Sequence, residues 1–112
     1  NKTLMNQNLQ QLANQIGKPT LFLLGSYNLL YSDKDSYISF KIKGSKKCNY
    51  IRITYNIGSD TYSMHFSKIR KFEEKNVIDI NDIYCDQLHN LIEEHTGLIT
   101  QKAIFISRGN VI

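Results

Sequence analysis

The chain has 112 residues, of which 41% are hydrophobic and 21% charged. Those proportions fit one globular domain and exclude both a disordered chain and a second independent core. A net charge of +4 permits an anionic partner without demanding one, and it argues against an acidic mimic of DNA.

An apolar run such as Leu21 to Leu24 falls far short of the roughly 20 residues a bilayer-crossing helix needs, so no membrane association is expected. Asn1 stands where an initiator Met would, as in a processed or trimmed product, and no leader pattern is visible. The two cysteines, Cys48 and Cys85, form no C-x-x-C pair and are too few for a disulfide scaffold. A reducing, cytoplasmic setting follows, with a single bridge between them left open. The abundance of Ile, Asn, Lys and Tyr, all with AT-rich codons, reads as genome bias.

In chain order, Met5, Leu9, Leu12, Ala13 and Ile16 recur at three- and four-residue steps, which predicts an amphipathic helix over 1–17. Thr3 caps its start, and Gly17 followed by Lys18-Pro19 ends it. Thr20 to Gly25 reads as a strand covered on both faces, continuing after a bend as Tyr27 to Tyr31. Asp33-Lys34-Asp35 makes a turn. Tyr37 to Lys43 then alternates, with Ile38, Phe40 and Ile42 inward. The loop 44–48 leads to a strand with Ile51, Ile53, Tyr55 and Ile57 inward, answered after a turn by Tyr62, Met64 and Phe66.

Opposed residues share a face, so positions in this hairpin must sum to an odd number. A loop of Gly58 to Thr61 satisfies that, pairing Ile57 with Tyr62, Tyr55 with Met64 and Ile53 with Phe66. Val77, Ile78 and Ile80 suggest a short extended piece. Asn81 or Asp82 then caps a helix over 81–97 with Tyr84, Leu88, Leu91, Ile92 and His95 inward and Gly97 at its end. Residues 98–112 form a tail or an extra strand, with an apolar patch at 103–106.

The expected fold is therefore α+β in one domain spanning 1–112. A small antiparallel sheet of about four strands (20–69) carries an N-terminal and a C-terminal helix on one face.

Chemistry is sparse. Cys85 and His89 stand one helical turn apart, a spacing that suits a shared metal or a nucleophile and its base. The remaining ligands are too scattered, however, and Cys85 borders the inward stripe, where an inert cysteine is common. Asp79, Asp82 and Asp86 lack the spacing of a calcium loop and read as helix-capping residues. Gly44-Ser45-Lys46-Lys47 is no phosphate loop, and no nucleophile elbow is present. No metal, cofactor or catalytic residue is expected. The outer sheet face is more informative: Tyr37, Lys41, Lys43, Tyr50, Arg52 and His65 would share it. Lys68 and Arg70 extend it near the strand ends, together with Lys46, Lys47 and Lys71. Cations interleaved with tyrosines resemble a platform for single-stranded nucleic acid, and equally an ordinary solvated face.

Several segments together resemble small proteins encoded by bacteriophages, plasmids and related mobile elements. They are Leu24-Gly25-Ser26-Tyr27-Asn28, residues 36–41, residues 49–53, residues 60–66, Asp86-Gln87-Leu88 and residues 96–100. The likeness spans roughly residues 9–100 and consists of fold-forming patterns, so it transfers no functional residue; residues 101–112 depart from it. It implies a non-enzymatic accessory protein that binds a host protein or protein–nucleic acid complex stoichiometrically, such as an inhibitor of a host defence complex. The alternatives are a basic nucleic-acid-binding protein and a small Cys/His enzyme.

Overall fold

The computed structural model describes residues 7–98 and 100, and the expectations for Thr3 and for residues 103–106 lie outside them. Five antiparallel strands form one open sheet in simple meander order. They are β1 (Tyr27–Ser32), β2 (Tyr37–Lys41), β3 (Tyr50–Asn56), β4 (Thr61–Arg70) and β5 (Glu73–Ile83). The helices are α1 (Gln7–Ile16), α2 (Lys18–Leu23) and α3 (Leu88–Thr96), the last preceded by a 3-10 turn at Cys85–Gln87.

The core joins Leu9, Leu12 and Ile16 of α1, Leu24 after α2, and Leu88 and Ile92 of α3 to one face of the sheet. That face carries Ile38, Phe40, Ile51, Ile53, Met64, Phe66 and Ile83, all buried. Antiparallel alternation supplies this apolar face and leaves the other open.

Three expectations need correction. Thr20 to Gly25 is not a strand: α2 occupies most of it, with Pro19 in its first turn and Gly17 before it at φ 85°. Pro is preorganised for a helix start, and Gly17 adopts the left-handed backbone that lets α1 turn into α2. Thr20 and Leu24, four residues apart, are both buried while Phe22 points to solvent, which is helical spacing.

The central hairpin keeps the expected faces but slips by two residues. Ile53 opposes Met64, Arg52 opposes His65 and Tyr55 opposes Tyr62, so the loop is 57–60 and Ile57 is exposed. Asp60 takes φ 54° and accepts a 2.7 Å hydrogen bond from the Tyr55 hydroxyl, which fixes where the loop ends.

The extended piece near 77–80 is an 11-residue edge strand, the fifth of the sheet. Asn81 and Asp82 belong to it and cap nothing. Helical turns begin only after Tyr84, whose backbone N–H donates to Gln87 Oε1 at 2.8 Å. Gly97 ends α3 in the left-handed conformation, as expected.

Asn49, just before β3, extends the β3–β4 ladder by imitation. Its amide Nδ2 donates to the Ile69 carbonyl and its Oδ1 accepts from the Ile69 N–H, both at 2.8 Å. Replacing Asn49 with Ala strands both groups of Ile69, a loss of about 1–3 kcal/mol. Urea unfolding measures that loss, and amide exchange at Ile69 accelerates while exchange at Ile53 follows only global stability.

Candidate functional site

The open face of the sheet is built by rows of opposed residues. Tyr37, Thr54 and Ser63 form one row; Ser39, Arg52, His65 and Asp79 form the next; Lys41, Tyr50 and Ser67 form a third. Tyr27 of β1 joins the third row opposite Lys41. Lys43 sits one alternation beyond Lys41, with its Nζ 5.1 Å from the centre of the Tyr27 ring. Arg52 lies against the Tyr37 ring, its guanidinium carbon 5.8 Å from the ring centre. The structure therefore brings Tyr37, Lys41, Lys43, Tyr50, Arg52 and His65 together on one face. Two of its cations are held against tyrosine rings, the arrangement of cation–π pairs.

His65 is the hub. Its side chain is only 13% exposed, with Nδ1 2.7 Å from Asp79 Oδ1 and Nε2 2.7 Å from Glu74 Oε2. The two carboxylates hold the ring from both nitrogens and fix its orientation. Tyr50 packs edge-on against it at 6.0 Å between ring centres. The Ser67 hydroxyl first, then the His65 ring, draw the Glu74 carboxyl below the ordinary glutamate value of 4.5, and the charge of Arg52 adds to this. Ser67 Oγ is fully buried beside it without a well-aligned hydrogen-bond partner of its own. The two carboxylates come from β5, whose pairing the sequence did not reveal. They neutralise the β4–β5 half of the face and confine its basic, aromatic character to β1–β3.

Lys68 and Arg70 do not belong to this face. Alternation from the buried Phe66 carries them to the opposite side, where they line a separate cleft of about 190 Å³ with Lys75. Lys68 Nζ donates to the Lys46 carbonyl at 3.1 Å. Lys46 and Lys47 line a neighbouring cleft of about 400 Å³ between Phe66 and the Glu94–His95 end of α3.

The pair Cys85 and His89 is not a dyad. His89 Nε2 lies 2.9 Å from the Ile16 carbonyl, where a donated proton satisfies the end of α1. Cys85 is exposed rather than bordering the buried stripe, because the helix starts at Leu88 and the chain is still in the 3-10 turn there. Both cysteines are free, and burial pushes the Cys48 thiol up, away from the thiolate a nucleophile requires. Asp79 is engaged by His65, Asp82 sits in a bulge of β5 and Asp86 lies within the 3-10 turn. Among the described residues no three His, Cys, Asp or Glu side chains are grouped so as to hold a metal ion. No helix among them is long and apolar enough to cross a membrane.

Compared with protein-family models, curated proteins and solved structures, the chain has no significant match.

The lowered Glu74 carboxyl has a definite consequence for stability. Its folded value lies below the unfolded one, so the carboxylate stabilises the fold above about pH 4.5 and loses that effect as pH falls through the folded value. Glu74→Gln should therefore have a lower urea midpoint than the unaltered protein at pH 6, with the gap closing as pH falls through the folded value.

Proposed function

We propose that this protein is a non-enzymatic binding module, acting in the cytoplasm by stoichiometric attachment of its open sheet face to another protein. The observation that carries the reading is the preorganised cluster of Tyr27, Tyr37, Tyr50 and Arg52. Among the described residues no helix covers it, Arg52 lies against a tyrosine ring, and the neighbouring histidine is pinned by two carboxylates. Tyrosine and arginine dominate the energetics of protein interfaces because each offers a large contact area together with polar groups. Rings already locked in place lose little conformational freedom on binding. The exposed Leu30 adjoins this cluster opposite Ser39, which extends it with an apolar contact.

The mobile-element resemblance supplies the class of partner: a host protein, alone or within a protein–nucleic acid complex such as a defence assembly. The carboxylates around His65 favour a protein over nucleic acid on this face, since phosphates would meet two negative groups at its β4–β5 end.

Affinity capture from bacterial extract, run with and without nuclease, tests the reading. A partner on this face is retained after nuclease. Tyr37→Ala with Arg52→Ala should weaken its binding by more than tenfold, because hot-spot truncations typically cost about 2 kcal/mol or more. Retention of every captured protein by that double variant would exclude this face as the interface.

A further inference from the structure

The end of the β4–β5 hairpin has a chemistry that neither the core nor the open face explains. The last opposed pair of β3 with β4 is Tyr50 with Ser67, so beyond the Asn49–Ile69 contact the hairpin runs on as a two-stranded ribbon. Its pairs are Lys68 with Lys75, Ile69 with Glu74 and Arg70 with Glu73, closed by the two-residue loop Lys71-Phe72. Like charges placed directly opposite one another in a ladder are destabilising. Lys68 and Lys75 nevertheless face each other, and with Arg70 they line one cleft. Among the described residues no carboxylate pairs with Lys68 or Arg70, and Glu73 reaches only Lys75, at 3.5 Å. Phe72 at the tip is fully exposed, beside Lys71. An aromatic ring held wholly in water by a tight loop contributes nothing to folding.

We propose that residues 68–75 form a nucleic-acid-binding arm, with Lys68, Arg70 and Lys75 meeting backbone phosphates and Phe72 stacking on a base. Side chains two apart on a strand are separated by about 7 Å, comparable to the spacing of consecutive phosphates along a chain. Cations following a backbone beside an exposed ring are the elements of single-strand recognition, in which any base can stack. Lys46 and Lys47 continue the positive track, joined to it by the Lys68–Lys46 contact. The arm lies on the opposite side of the sheet from the proposed protein-binding face, so either surface can fail while the other stands.

Fluorescence anisotropy with a labelled single-stranded oligothymidylate, titrated at several salt concentrations, tests the arm. The full chain should bind it, with affinity falling as salt rises. Lys68→Glu with Arg70→Glu should reduce affinity at least tenfold and flatten the log–log salt slope by about 1.4, since each phosphate contact on a single strand contributes roughly 0.7. Phe72→Ala should lose roughly 5- to 140-fold with the salt slope unchanged, and Phe72→Trp should restore binding. These three positions are at the ribbon, and circular dichroism confirms that each variant folds. The proposal is overturned if the unaltered chain does not bind, or if heparin competes while Phe72→Ala is neutral, which marks unspecific polyanion attraction. It is equally overturned if Lys41→Glu with Lys43→Glu abolishes binding while the arm variants do not. A duplex of the same length bound more tightly than the single strand would exclude base stacking by Phe72.

Discussion

The alternation along β4 governs the whole molecule. This ten-residue strand lies between β3 and β5, and its even-numbered side chains Tyr62, Met64 and Phe66 complete the core beneath the helices. A slip of one residue would turn Met64 and Phe66 out to water, forfeiting about 1.5–3 kcal/mol for each. Parity is therefore held far more firmly than any single contact could hold it. Past Phe66 the core ends but the parity does not. Lys68 and Arg70 are delivered to the side that the apolar residues began, while Ser63, His65 and Ser67 are delivered to the open face. One periodic constraint thus sets the core, the aromatic face and the basic ribbon.

The two polar surfaces differ in how their charges are met. On the open face, His65 is largely withdrawn from water and has a carboxylate on each ring nitrogen. Ring nitrogens withdrawn from water need such partners, because a buried polar group without them is costly. Arg52 and Lys43 lie against rings, so their positions are fixed before any ligand arrives. The β4–β5 half of that face is compensated and its β1–β3 half holds cations against rings, a condition that favours shape-specific contact. On the ribbon, by contrast, Lys68 and Lys75 repel across the ladder. Glu73 reaches Lys75 at 3.5 Å, but no carboxylate among the described residues meets Lys68 or Arg70, and their field extends over about a Debye length.

These distinctions bear on what could be read from the chain alone. The faces of the central hairpin were legible because a period of two is all that faces require. Its register was not, since a shift of two residues leaves every face unchanged and the decision rests on Asp60 adopting a left-handed backbone. The run from Thr20 to Leu24 is apolar on too many sides to show its period, although Pro19 after Gly17 was a usable sign of a helix start. Tyr37, Lys41, Tyr50, Arg52 and His65 share a face because each sits on a strand with clean alternation, and Lys43 continues that face just past the end of β2. Lys68 and Arg70 fall on the other side because the alternation of β4 continues past Phe66, where its apolar pattern stops and no longer shows the face.

β5 shows in the sequence only as a short extended piece at Val77, Ile78 and Ile80, and its full length and the partners of His65 do not. Ile78, Ile80 and Ile83 face inward opposite Phe66, Met64 and Tyr62, and Lys75 faces the same way opposite Lys68. Those four positions do not alternate, because β5 carries an extra residue in each of two places, at Asn76 (φ 54°) and Asp82 (φ 58°). Asn and Asp adopt this left-handed conformation more readily than other side chains, and such bulges guard an edge strand against pairing with a stranger. The bulge at Asn76 does more. Without its extra residue, Glu74 would lie on the core side and Lys75 on the open face. With it, Glu74 joins Asp79 on the open face, one on each side of His65, and Lys75 turns to confront Lys68. A single irregularity in an edge strand thereby neutralises the β4–β5 half of one surface and adds a cation to the other.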